Sequence, residues 1–144
     1  MNDYLTQVLN YAFEHGIGVE CSNDFCSDTP CASNPDARRI VINMNFHDQA
    51  QLPLQAAHEV GHILNQHSGF MYMFTLLKQG QEAEANRTAF HILVPMYFAD
   101  TDPEDANSQS FMDAFHVPEP LVGMAEAEIR GYYEMTEGNN AAQS

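Results

Sequence analysis

His58-Glu59-Val60-Gly61-His62 is the stretch on which the reading of this chain turns. Residues four apart on a helix project from one face, so two imidazoles at this spacing can reach a single metal ion. Glu59, one step round, can reach a water held there and serve as a general base. Five residues also arise by chance, as two histidines on a partly buried helix with an exposed glutamate between them, so the flanks carry the decision. Gln49 to Gln66 has helical periodicity, with Pro53 tolerated in the first turn. Leu54, Ala57, Gly61 and Asn65 share the histidine face, which predicts that this face turns inward. Gly61 costs a helix about 1 kcal/mol against Ala. That cost is intelligible if another element passes close to the backbone there.

Two histidines do not complete a site, because catalytic zinc takes three protein ligands and keeps a position open for water. His67, nine residues after His58, falls about half a turn away at ~100° per residue and points elsewhere. A metzincin arrangement would need Gly at position 65 and His at position 68, where this chain has Asn65 and Ser68. The next long helix contains Gln81-Glu82-Ala83-Glu84-Ala85-Asn86. Glu82 lies in line with Asn86, Ala89, Phe90 and Leu93, whereas Glu84 aligns with Arg87, Thr88 and His91. A carboxylate on an inward face is expensive unless something neutralises it, and a zinc ion would do so. Glu82 is therefore the preferred third ligand, with Glu84 as the alternative. Asn86, one turn on, is placed either to orient a ligand by a hydrogen bond or to find a local partner of its own. An oxyanion donor could come from Tyr72, Tyr97 or His91, each of which also reads as a packing or surface residue.

Elsewhere, Asp3 to Glu14 has apolar residues at helical spacing behind a cap at Asn2, and Gly16 and Gly18 stop it. Residues 21–37, rich in Ser, Asn, Asp and Pro, predict a loop. Arg39 to Asn43 is the strongest strand, Gly18 to Cys21 a second. The first of these could bind an extended substrate along its edge or lie buried inside a sheet. Phe70 to Lys78 predicts a short helix, and Gln81 to Val94 a long one ended by Pro95. Asp100 to Asp105 is a turn cluster, followed by helices over Ser108–Phe115 and Glu119–Tyr133. No repeat or linker interrupts the chain. The expectation is one domain over residues 1–137 and a disordered tail over 138–144.

Twenty acidic residues against five basic ones give a formal charge of −15 over 144 residues. Nucleic-acid surfaces need clustered cations, so no nucleic-acid partner is expected. A small DNA-binding regulator, suggested by the helix pair near Phe111–Val117 and Leu121–Ala125, fails on the same ground: Arg130 is the one base in that region. No basic-then-apolar N-terminal signal and no apolar run near ~18 residues is encoded, which predicts a cytoplasmic protein with no membrane partner. Cys21, Cys26 and Cys31 recur every five residues. They read as free thiols on a loop in a reducing compartment, or as a second metal or redox site.

H-E-V-G-H-I-L followed by E-A-E-A-N-R-T-A-F-H-I-L-V-P resembles the ImmA/IrrE-type metallopeptidases, which read H-E-[LIV]-[GA]-H and then E-x-E-A-N-x-F-A-x-x-L-L-x-P. His58, Glu59, His62, Glu82, Ala85, Asn86, Ala89, Phe90, Leu93 and Pro95 lie on that pattern; Thr88-Ala89-Phe90 departs from it at a packing position, and the cysteine loop matches nothing in it. The resemblance covers residues 38–96 best. It implies an α+β, mostly helical, zincin-like metallopeptidase domain with a short β-sheet ahead of the H-E-x-x-H helix. It further implies zinc on His58, His62 and Glu82, Glu59 as the catalytic base, and a protein substrate. Some relatives cleave a helix-turn-helix repressor encoded beside them. The competing reading is a catalytically silent zinc-binding domain that sequesters a protein partner. An intact Glu59 speaks for turnover, since a purely structural zinc site has no use for a base and is closed by four ligands.

Overall fold

The computed structural model describes the backbone of residues 2–65, 72–73 and 80–143, and the side chains of residues 2–65 and 80–135. Helix α1 (Asp3–Glu14) starts where Asn2 Oδ1 accepts the Tyr4 and Leu5 N–H groups. Its Leu5, Val8, Leu9 and Ala12 stripe is buried, as the periodicity predicts. Strand β1 (Gly18–Ser22) follows, then β2 (Ala32–Asn34) and β3 (Arg39–Asn43). A 3-10 turn over Gln49–Gln51 leads into α2 (Leu52–Leu64). Strand β4 (Tyr72–Met73) and helices α3 (Gln81–Phe98), α4 (Ser108–Phe115) and α5 (Val122–Gln143) complete the described chain.

The four strands are ordered β1-β3-β2-β4. β1 runs parallel to β3, while β2 is antiparallel to both β3 and β4. This corrects two expectations. β3 lies between β1 and β2, so both of its edges are paired and it cannot take a substrate strand. The span 21–37 is not all loop: Ala32–Asn34 pairs on both sides. Three residues are too few for alternation to show in a Ser- and Asn-rich stretch, and their strand state comes from tertiary pairing.

Every residue of α2 from Leu52 to Ile63 is buried. This helix is the centre of the molecule, with the sheet and α1 against it and α3 packed along it most extensively of all. The predicted helix over Phe70–Lys78 is contradicted at Tyr72–Met73, which are strand; its other positions lie outside the described residues.

Helix α3 does not end at Pro95 but runs on to Phe98. Pro95 is exposed, so its missing N–H and ring fall on the solvent side, while Val94 and Phe98 on either side of it are buried. Their packing outweighs the local penalty. The far end of α3 enters an aromatic cluster in which Tyr97 meets Tyr4, Phe98, Phe111 and Phe115 at ring separations of 4.8–5.8 Å. Helix α5 continues through Gln143, past Gly138, where composition alone predicts a tail.

Candidate metal centre

α2 and α3 approach each other backbone to backbone at Gly61. A Cβ built there would lie 2.8 Å from the Ala85 carbonyl oxygen, 3.0 Å from Ala85 Cα and 3.1 Å from Thr88 Cβ. The close pass that a helical glycine implies is thus made by α3. Asn65, at the end of α2, ties the crossing: its Nδ2 donates to Gly61 O at 2.7 Å and to Thr88 Oγ1 at 2.9 Å. α3 enters through Gly80, whose φ of +59° suits a residue without Cβ. The two helices are thereby held close enough for side chains one turn either way to meet.

They meet at His58, His62 and Glu82, each buried, whose ligand atoms all lie within 4.8 Å of one another. His58 Nε2 is 2.9 Å from Glu82 Oε2; His62 Nε2 is 3.2 Å from both His58 Nε2 and Glu82 Oε1. These are the separations that a tetrahedral ion with ~2.0–2.1 Å bonds imposes on its ligands, about 3.3 Å. The Asn86 amide presents Oδ1 at 2.7 Å to His58 Nδ1, which donates to it. With that proton on Nδ1, a neutral His58 turns the Nε2 lone pair toward a carboxylate oxygen. Two acceptors 2.9 Å apart repel unless they share a proton or a metal ion, and the convergence of three such groups suits a divalent ion. Glu82 also sits in the first turn of α3, where the helix dipole favours negative charge.

Glu59 is fully buried beside this group, where the sequence left it exposed under the chance reading. Ser33 Oγ donates to its Oε1 at 2.9 Å, and its Oε2 has no partner among the described residues. Burial pushes the Glu59 carboxyl well above its usual range; the Ser33 hydrogen bond pulls it back, and the Glu82 charge raises it further. A buried carboxylic acid with an unengaged oxygen is costly to the fold, and groups perturbed in this way cluster at functional sites.

The remaining candidates separate cleanly. Glu84 is exposed, on the polar side of α3. His91 is exposed and paired with Glu128 at 2.8 Å. Tyr97 belongs to the aromatic cluster, and its position fifteen residues after Glu82 corresponds to roughly 22 Å of helix. The Tyr72 side chain and His67 lie outside the described residues. Cys21 and Cys26 are exposed and Cys31 is buried, all three as free thiols; burial pushes the Cys31 thiol up to about 12.

Two contributors were not read from the sequence. Ser33 was missed because β2 was missed. Gln55, one turn before Glu59, is completely buried and accepts the Cys31 N–H at 2.9 Å. Its i, i+4 relation to Glu59 was the available signal.

A small, mostly helical α+β domain with this buried His-His-Glu group is of metallopeptidase type. The chain belongs to the peptidase family described as the IrrE N-terminal-like domain, whose sequence model matches residues 15–124. No curated protein and no solved structure matches it. No helix among the described residues is long and apolar enough to cross a membrane.

Proposed function

We propose that the protein is a zinc-dependent endopeptidase acting on a protein substrate. Zinc is held by His58, His62 and Glu82, and Glu59 is the general base. The observation that carries this reading is the convergence of three buried ligand atoms beside a buried carboxylate with one oxygen unengaged. Zinc in such a site would supply Lewis acidity toward the scissile carbonyl and would lower the pKa of its water to about 7. Glu59 takes a proton from the attacking water and delivers it to the leaving amine. Burial raises the Glu59 carboxyl, which makes it the stronger base for taking that proton. Asn86 holds the His58 ring in the tautomer that offers Nε2. The silent-domain reading gives Glu59 no task to offset its burial.

For the substrate we propose a helix-turn-helix repressor. The resemblance supports that reading, and so does the charge of −15, which attracts a basic DNA-binding domain. The test has two parts. Purified protein is expected to hold about one zinc per chain, and His58→Ala to lose it; full retention by that variant removes the site. Glu59→Gln is expected to keep zinc and lose cleavage of the repressor, and undiminished cleavage places the base elsewhere.

A further inference from the structure

Resting on that reading, we propose that Ser33 is a positioning residue for Glu59: donated from β2, its hydrogen bond holds Oε1 and leaves Oε2 as the oxygen that meets the reacting water. The two carboxylate oxygens are already unequal. Oε1 accepts from Ser33 Oγ at 2.9 Å, while Oε2 has no partner among the described residues. Both side chains are buried, Ser33 at 1% exposure and Glu59 at 0%, so bulk water does not exchange for the serine hydroxyl. A hydroxyl fixes a carboxylate without neutralising it, as a lysine or arginine there would.

The strand that carries Ser33 is itself pinned. The Cys31 N–H donates to Gln55 Oε1, whose own amide donates to Gln51 Oε1 at 2.9 Å. Cys31 and Ser33 are two apart on one face of the extended chain, and Gln55 and Glu59 are one turn apart on α2. A strand step of about 6.6 Å runs beside a helical turn of about 5.4 Å, so two successive rungs join β2 to α2. On its other sides β2 is paired with both neighbours, Ser33 standing opposite Ile40 and Tyr72. The hydroxyl is therefore delivered from a fixed backbone, which is what pre-organising a catalytic carboxylate requires.

Titration of zinc-loaded protein with acetohydroxamate tests this without relying on turnover, because a hydroxamate held by the metal would bring a polar oxygen within reach of the carboxylate proposed as the base. Glu59→Gln is expected to weaken binding, and Ser33→Ala to weaken it roughly ten-fold with zinc stoichiometry unchanged. Ser33→Thr restores the hydroxyl and the affinity. In a Glu59→Gln background, Ser33→Ala is expected to add nothing. Full affinity in Ser33→Ala overturns the proposal. So does an equal loss in the Glu59→Gln background, which would mean that Ser33 acts through the fold. If the parent protein fails to bind acetohydroxamate, or Glu59→Gln leaves its affinity untouched, the peptidase reading falls and the proposal with it. If those hold and only Ser33→Ala is silent, the positioning role alone fails.

Discussion

Glu59 sets function against stability within one side chain. Its carboxyl is pushed up by burial, and by the Glu82 charge, more than the Ser33 hydrogen bond pulls it down. In the metal-free protein the folded state therefore holds the proton more tightly than the unfolded chain does. The sign follows from linkage. Stability associated with this group is fully present below the ordinary glutamate value of 4.5, and it is lost as pH rises through the higher folded-state value. Gln cannot ionise and keeps an oxygen for Ser33 to donate to. Metal-free Glu59→Gln is expected to melt higher than the metal-free parent at neutral pH, by roughly 3–5 °C for each 1 kcal/mol relieved, with the gap closing toward pH 4.5. Thermal melts of both proteins across pH measure it. An equal or lower melting point for the variant at neutral pH would mean that the carboxylate is solvated in the folded protein. If Glu59 is the base proposed above, this is the trade of stability for activity common at catalytic groups.

At the scale of elements, the α2–α3 crossing sets the geometry of everything in the site. Gly61→Ala would gain about 1 kcal/mol of helix propensity. The added methyl would also sit 2.8 Å from a carbonyl oxygen and 3.0 Å from a Cα of α3, and backbone cannot swing aside as a side chain can. Overpacking of this kind costs about 1–3 kcal/mol, and relief requires the helices to part. Because His58 and His62 sit on one and Glu82 on the other, parting them spreads the ligand set. The expected outcome is a lower melting point and at least roughly ten-fold weaker zinc binding, read by competition with a chelating dye. Unchanged zinc affinity would show that the ligands do not depend on this crossing. The crossing was legible in the sequence, through the glycine on the histidine face and the line from Glu82 to Leu93, because helical periodicity repeats over enough residues to average out local exceptions. β2 was not legible. Three residues carry no usable period, and their state depends on partners distant in sequence. The end of α3 was misplaced for a related reason: a proline rule is local, and Val94 and Phe98 answer to the core. Ser33 went unseen along with its strand, although it donates to Glu59, the residue proposed as the base.

Over the whole molecule, the site and the charge are separable properties. His58, Glu59, His62 and Glu82 are buried at the α2–α3 contact, and at most one of their charges would remain uncompensated with a divalent ion bound. The −15 belongs mostly to residues outside them, and the five basic residues of the chain are too few to offset it. Such a field does not alter the chemical step. It acts on encounter, by raising the local concentration of cationic partners and orienting their approach. If the substrate is a basic DNA-binding protein, the acceleration must be sensitive to screening. Raising ionic strength from about 0.02 to 0.2 M shortens the screening length from roughly 20 to 7 Å, which removes attraction between surfaces not yet in contact and leaves a buried ion pair almost untouched. Cleavage of a basic repressor is therefore expected to lose kcat/KM several-fold over that range while kcat stays level, and an acidic variant of the same substrate should show the opposite salt trend. Equal kcat/KM at both salt concentrations would assign recognition to contacts inside the cleft and leave the acidic surface without a part in choosing the substrate.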